Sequence, residues 1–170
     1  VLHLHQAKQI ARCKQRFAHL IDPKFKPLVP MNPHAPRLAK HMSPADPESP
    51  EAKALKGEYA SLACSIGYLP TATRSDVQYA YKEAAKFLTC PGIPHMRSLL
   101  QTFHYLLQTP DKGLIYKRSG QKDYKIIMFV DADYNGEEDS RLSTSGVTGF
   151  VNGNLVASKC SAQKCTARST

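Results

Sequence analysis

The sequence contains no tryptophan, and its five cysteines are scattered without any Cys-x-x-Cys pair. An odd number of widely spaced thiols argues against a disulfide framework and favours a reducing, intracellular setting, cytoplasmic or nuclear. No histidine stands with these cysteines at the spacing of a zinc site. The sequence has no apolar run long enough to span a bilayer, and the residues after Val1 do not form a signal peptide. A membrane partner is therefore not expected.

Acidic residues are scarce in two parts of the chain. Between residues 1 and 42, eight lysines and arginines stand against one acid, Asp22, and the net charge of the whole chain is +9. Beyond Asp139 there is no acidic residue. A local excess of positive charge favours nucleic acid as a partner, because each phosphate contact releases counterions. The alternative is a solvated basic surface. The candidate binding residues lie in a predicted amphipathic helix from Gln6 to Leu20 and are Lys8, Arg12, Lys14 and Arg16.

Prolines dominate the segment from residue 22 to residue 50, which holds eight of them. Proline removes an amide donor and disfavours helix in the residue before it. We therefore predict a linker over residues 22–50 that is extended and lies along a surface. Ser49 followed by Pro50 predicts the start of a helix. That helix is expected to pause near Gly57 and to end at Pro70.

Two further helices are predicted before the pattern changes. Ser75 with Gln78 three residues later predicts a capping box at the start of one of them. Pro94 opens the other, the most regular apolar stripe in the chain, which ends near Thr109.

From residue 113 onward the apolar residues follow the period of strands. The strongest candidate is Tyr124–Val130, and Asn152-Gly153 predicts a tight hairpin turn between two later strands. The chain is therefore predicted to be α+β, with helices first, antiparallel strands after, and a seam near residues 117–122.

The densest acidic segment runs from Asp131 to Asp139, directly after the strongest predicted strand. A calcium loop is one interpretation, but its twelfth position is Leu142, which offers no carboxylate, and a strand leads into it. A carboxylate of a two-magnesium site is another, although such a site needs carboxylates from separate elements. A solvated acidic loop is the third. Spacing alone favours the solvated loop.

Four blocks of sequence resemble the polyproteins of copia-type retrotransposons and occur in the same order. The first resembles Tyr-x-Ser-Leu-x-Gly-Ser-Leu-x-Tyr-Leu…Thr-Arg-Pro-Asp-Ile-x-Tyr-Ala, and the third resembles Asp-Ala-Asp-Trp-Ala-Gly…Arg-x-Ser-Thr-Ser-Gly. Ordered blocks are more specific than any single motif. The matching segments are Tyr59–Ala80, His95–Gly113, Asp131–Gly146 and Ser158–Lys164.

The resemblance implies a fold and a set of roles. Residues 1–112 are similar to the end of the polymerase palm with the helical thumb and connection region of a reverse transcriptase, which holds the template–primer duplex. Residues 113–170 are similar to the opening antiparallel strands of a ribonuclease H-like fold, left incomplete. Asp131 matches the first metal-binding aspartate, so the resemblance implies catalytic and Mg²⁺-binding roles for Asp131 in the parent enzyme. The implied partners are a nucleic-acid duplex, bound without sequence preference, and the rest of the polyprotein.

The chain also departs from the family pattern. Ser75 replaces proline, Met96 and Tyr134 replace tryptophan, and Cys64 replaces glycine. The polymerase Tyr-x-Asp-Asp motif and the Glu-Ala-Glu-Tyr motif of ribonuclease H are not in this sequence. We expect a fragment that is inactive alone, binds no Mg²⁺ tightly and leaves one face of its sheet bare. Whether it is an enzyme stays open, and the alternatives are a non-catalytic nucleic-acid-binding module or a non-functional retroelement remnant.

Overall fold

The chain divides into two compact units. The computed structural model describes residues 1–120, 123–133, 139 and 142–163. The helical unit is His5–Lys112, and the sheet unit comprises Val1–Leu4 and Gly113–Thr170. The chain combines helices with antiparallel sheets, so the α+β class is confirmed, but a short strand at Leu2–Leu4 precedes the helices that were predicted to come first.

The helical unit contains five α-helices. They are α1 (Ala7–Arg16), α2 (Pro50–Ile66), α3 (Tyr68–Ala72), α4 (Gln78–Ala85) and α5 (Ile93–Gln108). Short 3-10 turns occupy Ala18–Leu20, Lys40–Met42 and Ser75–Val77. The predicted start of α2 is confirmed, because the Ser49 hydroxyl accepts a hydrogen bond from the Ala52 amide at 3.2 Å.

Two predicted interruptions of α2 are wrong. The helix continues through Gly57, because one glycine costs only about 1 kcal/mol of helix propensity and burial of the other face offsets it. Pro70 does not end the helix either. It is the third residue of α3, in the first turn, where a missing amide proton leaves no intrahelical bond unmade. The break falls at Gly67, where an added side chain would meet the Tyr81 hydroxyl and force it to shift.

The predicted capping box before α4 is also wrong. Ser75 lies in a 3-10 turn, and α4 starts after Val77 without a side-chain cap. The Gln78 amide group instead donates to the carbonyl oxygen of Pro70 at 3.0 Å. The Gln78 side chain, which the local pattern assigned to a helix cap, therefore makes a tertiary hydrogen bond instead.

The core of the helical unit lies where α1, α2 and α5 meet. Phe17 packs edge-to-face on Phe103, with ring centroids 6.1 Å apart. The Tyr59 hydroxyl donates to the carbonyl oxygen of Ala84 at 2.7 Å, which connects α2 to α4. Other fully buried members of this core are Ile10, Cys13, Leu62, Ile66, Leu99 and Leu106.

The proline-rich segment packs on α5. It carries one regular element, the turn at Lys40–Met42, and Leu38 and Ala39 are buried. The segment therefore lies along a surface, as the prolines predict. It belongs to the packing of the helical unit and is not a free spacer.

The sheet unit contains two antiparallel sheets in its described part. One pairs β1 (Leu2–Leu4) with β2 (Leu114–Tyr116). The other is ordered β3-β4-β5, with strands Ile126–Asp133, Thr144–Val151 and Asn154–Ala162. The sequence interpretation had assigned residues 1–4 to the helical region, whereas the structure pairs them with the strand after it.

The predicted hairpin turn is confirmed. Asn152 and Gly153 both adopt positive φ, 48° and 78°, and connect β4 to β5. This is the backbone conformation that a two-residue type I′ turn requires.

Strand β3 is apolar and exposed. Its side chains point to both faces of the sheet, and the exposed fractions are 69% for Ile126, 61% for Met128, 63% for Phe129 and 70% for Val130. In the described part of the chain, β3 is also an edge strand, since it pairs with β4 alone. Both faces of β3 are therefore exposed, whereas β4 is buried or half-buried along its length.

Candidate functional site

Asp131 lies inside β3, not at the end of a strand as the sequence interpretation placed it. The strand continues to Asp133, and Asp131 pairs with Gly146 of β4. The pairing extends further than predicted because β4 itself begins at Thr144 and offers partners for the acidic residues. The Asp131 side chain is exposed, and its Oδ1 accepts a hydrogen bond from the Ala132 amide at 2.9 Å.

An exposed carboxylate held on a paired strand is compatible with a metal ligand. Among the residues that the structure describes, however, no group of three His, Cys, Asp or Glu side chains is placed to hold a metal ion. Residues 134–138 of the acidic segment lie outside the described residues. The magnesium role of Asp131 stays a prediction.

The basic residues of α1 are divided by the geometry of the helix. Ile10 and Cys13 face the core, and Lys8 and Arg12, one turn apart, point away from it. Lys14 is exposed on one flank. Within the described residues no hydrogen bond or ion pair engages the side chains of Lys8, Arg12 or Lys14.

Arg16 behaves differently from the other three. Its guanidinium donates to the Ser61 hydroxyl at 2.9 Å and to the Ser65 hydroxyl at 3.3 Å. It also lies over the Phe17 ring, 5.2 Å from the centroid. Arg16 therefore helps to hold α1 against α2, and fewer of its donors are available for phosphate.

Sequence reasoning missed a charged cluster at the C-terminal end of α5. Arg74 is fully buried. It donates to the carboxylate of Asp76 and, at 2.8 Å, to the carbonyl oxygen of Thr109. Tyr105 and Lys112 complete the cluster, since both donate to Asp76 Oδ2, at 2.8 and 3.2 Å. Arg74 and Asp76 are two residues apart and lie outside the α-helices. Their pairing therefore follows neither helical nor strand periodicity, and the sequence pattern could not predict it.

The cluster changes the pKa of its members. Burial raises the pKa of Asp76, but the hydrogen bonds and positive charge of Arg74, with the bonds from Tyr105 and Lys112, lower it more, and the net pKa is below the ordinary value. The pKa of Lys112 is raised, chiefly by its hydrogen bond to Tyr105. Both ions are thus stabilised in the charged form, as expected for a structural ion-pair network.

Two buried histidines of α5 hold the proline-rich segment. His104 Nε2 accepts a hydrogen bond from the Asp22 amide at 2.9 Å, and its Nδ1 donates to the Leu100 carbonyl. His95 Nδ1 accepts from the Gly92 amide at 2.7 Å, so its Nε2 carries the proton that bonds to the Ala39 carbonyl. Both rings are therefore neutral tautomers that serve structure.

Comparison with known proteins determines the family. Over 170 residues, 99% of this chain, the sequence is 31% identical to the "Retrovirus-related Pol polyprotein from transposon TNT 1-94" of Nicotiana tabacum. It belongs to the retrovirus-related Pol polyproteins of transposons. Another such relative, from transposon RE1 of Arabidopsis thaliana, is 28% identical over 113 residues, 66% of this chain. This Pol-type chain spans 12% of the length of the first relative and 8% of the second.

The Pol-type chain is also similar to a short protein. The "Secreted RxLR effector protein 161" of Plasmopara viticola is 33% identical over 112 residues, which are 66% of this chain and 78% of that protein. No family model matches the chain. No solved structure matches it either. None of the described helices has both the length and the apolar character that crossing a membrane requires.

Proposed function

We propose that the chain is a segment of a copia-type retrotransposon reverse transcriptase/ribonuclease H, and that its helical unit binds a nucleic-acid duplex without sequence preference. The observation that carries the proposal is the outward face of α1. There Lys8, Arg12 and Lys14 are exposed and have no acidic partner in the described residues. Unpaired cations on a rigid helix can contact phosphate without first breaking an ion pair.

The charge of the surrounding chain supports the same partner. Residues 1–42 contain a single acid, Asp22, and its Oδ1 already accepts a hydrogen bond from the Lys24 amide. Few carboxylates of its own segment therefore oppose the positive charge of α1, and a positive surface accelerates association with a polyanion. We further propose that the protein works inside the cell, in the cytoplasm or nucleus, together with the rest of the polyprotein.

A salt titration of duplex binding tests this proposal. Fluorescence anisotropy with a labelled RNA–DNA hybrid would compare the chain with the triple variant Lys8→Gln, Arg12→Gln, Lys14→Gln. We expect the variant to bind more weakly and to lose about three units of the slope of log K against log salt, since each phosphate contact contributes about one.

A matched control removes the same charges elsewhere. Lys56, Lys117 and Arg118 are also exposed, and no hydrogen bond or ion pair engages their side chains in the described residues. Their glutamine variants should keep most of the affinity and slope. Equal losses in both triple variants would reject α1 as the binding face, and affinity that does not change with salt would reject phosphate binding altogether.

The second proposed activity is cleavage of the RNA strand of a hybrid, in the parent polyprotein. It depends on Asp131 as one ligand of a two-Mg²⁺ site, in which the ions activate water and stabilise the leaving oxygen. Its support is the family of the chain together with the place of Asp131 in a hydrogen-bonded strand. One carboxylate cannot hold two cations, so the other ligands would come from elsewhere in the parent.

The test of cleavage uses a longer polyprotein that includes this chain. Hybrid cleavage with Mg²⁺ would be measured for the parent, for Asp131→Asn and for Asp123→Asn, which removes an exposed carboxylate outside the strand. We expect Asp131→Asn to abolish cleavage and Asp123→Asn to preserve it. Cleavage that persists in Asp131→Asn would remove Asp131 from the site.

A further inference from the structure

The helical unit contains an open pocket that nothing in the proposed function uses. It lies between α5 and the proline-rich segment and has a volume of about 710 Å³. Pockets that hold small organic ligands range from about 300 to 1,000 Å³. Its apolar lining comes from Leu20, Phe25, Met31, Leu38, Met42 and Leu100.

The walls of this pocket are fixed by hydrogen bonds. The proline-rich segment is attached to α5 at His104, through the Asp22 amide, and at His95, through the Ala39 carbonyl. Between these two points, the Thr102 hydroxyl donates to the Pro30 carbonyl at 2.9 Å. A preformed cavity loses less entropy when it binds a ligand than a loop that must be ordered first.

The polar groups of the pocket are unevenly placed. Arg97 lines the pocket, is exposed, and has no hydrogen-bond or ion-pair partner among the described residues. Asp22 also lines the pocket, and its amide donates to His104. His104 follows Arg97 by two helical turns, so their backbone positions lie about 10 Å apart along α5.

We propose that this pocket binds a small amphipathic carboxylate, with its apolar body among the methionines and leucines and its carboxylate on Arg97. Methionine side chains adapt to ligands of different shape, and two of them line the cavity. The guanidinium can bind both carboxylate oxygens at once, which a neutral ligand of the same length cannot exploit. Asp22 is hydrogen-bonded to His104, two helical turns from Arg97, so the ligand carboxylate on Arg97 is kept away from that acid.

Calorimetric titration with octanoate and with 1-octanol tests the proposal. The chain should bind octanoate more tightly than octanol. Arg97→Gln should weaken octanoate binding by about tenfold, the effect of losing a charge-assisted hydrogen bond, and leave octanol binding unchanged. Ala35→Phe, which places a ring in the cavity from an exposed lining position, should weaken binding of both.

The methionines report where the ligand binds. Of the four in the chain, Met31 and Met42 line the pocket, Met96 is buried in the core, and Met128 is exposed on β3. In methyl NMR spectra octanoate should shift Met31 and Met42 and leave Met128 in place. Lys56→Gln, a charge change outside the pocket, should alter nothing.

Several outcomes would overturn the proposal. Absence of octanoate binding would do so, and so would equal affinity for octanol and octanoate, which would make the pocket a purely apolar site. Octanoate affinity that is unchanged in Arg97→Gln would remove the carboxylate contact. A shift confined to Met128 would place the ligand on the exposed strand. None of these results bears on duplex binding by α1, which the salt titration tests separately.

Discussion

The guanidinium of Arg74 holds the carboxylate of Asp76 by two hydrogen bonds, Nε to Oδ1 at 3.0 Å and Nη2 to Oδ2 at 3.1 Å. The same guanidinium donates to the Thr109 carbonyl and hydroxyl at 2.8 and 2.7 Å. The pair thus ties the loop before α4 to the C-terminal end of α5, whose last carbonyls lack intrahelical partners. The planar guanidinium has five N–H donors and can bind the carboxylate and the Thr109 oxygens at once. The ammonium group of a lysine cannot make this set of hydrogen bonds.

Replacing Arg74 should be among the most damaging single changes in the helical unit. Arg74→Ala leaves a partly buried carboxylate without its main partner, and we expect a loss of about 3 kcal/mol in the free energy of unfolding. Arg74→Lys should lose somewhat less. Urea denaturation of both variants checks this, with Arg118→Ala as an exposed control that should stay near the parent value. An Arg74→Ala chain as stable as that control would show that the cluster contributes nothing.

The lowered pKa of Asp76 predicts how stability depends on pH. A carboxyl whose folded pKa lies below its unfolded value binds more protons when unfolded, so it adds stability above the unfolded pKa, near 3.8. This stability is lost as the pH falls through the folded pKa. Unfolding free energies measured from pH 6 downward should therefore decline less steeply for Asp76→Asn than for the parent. Parallel curves would contradict the shift.

Two glycines of the helical unit should respond to alanine in opposite directions. A methyl group at Gly92 would overlap the Met42 carbonyl, and we expect Gly92→Ala to destabilise the fold by about 1–3 kcal/mol. Gly57 lies within α2 with open space around it, so Gly57→Ala should stabilise by about 0.5–1 kcal/mol. Thermal unfolding of the two variants gives the answer. Changes of equal sign would mean that the local packing differs from the one described.

The exposed strand β3 should make the chain prone to association. Met128 and Val130 lie on one face of an edge strand and are more than half exposed. Met128→Lys with Val130→Lys should reduce concentration-dependent scattering, because lysine on an edge strand opposes pairing with another chain. Leu28→Lys with Tyr68→Lys adds equal charge at exposed positions of the helical unit. If both pairs reduce scattering equally, net charge and not the strand is responsible.

The elements that the sequence predicted well have local causes. Ser49 caps α2 through its own side chain, and Asn152-Gly153 turns because those residues tolerate positive φ. The stripe after Pro94 is regular enough to specify α5 without further context. Exposure of Lys8 and Arg12 also follows from helical period alone.

The elements that were predicted wrongly depend on distant partners. The Gln78 side chain donates to the Pro70 carbonyl oxygen and does not cap α4. Likewise, Asp131 lies within β3 because β4 starts early enough to pair with it. The local sequence does not determine which partner a side chain bonds to or where a strand ends. Both conformations are locally allowed, and the tertiary contacts decide between them.

The pairing of β1 with β2 has a consequence for the chain as a whole. Leu4 of β1 pairs with Leu114 of β2. The last residue before the helical unit and the first strand residue after it are therefore neighbours in one antiparallel sheet. The helical unit is, in connectivity, an insertion between two adjacent strands. A two-residue hairpin in place of residues 5–113 would join the same strands without breaking the ladder, which makes the helical unit separable by a single internal deletion.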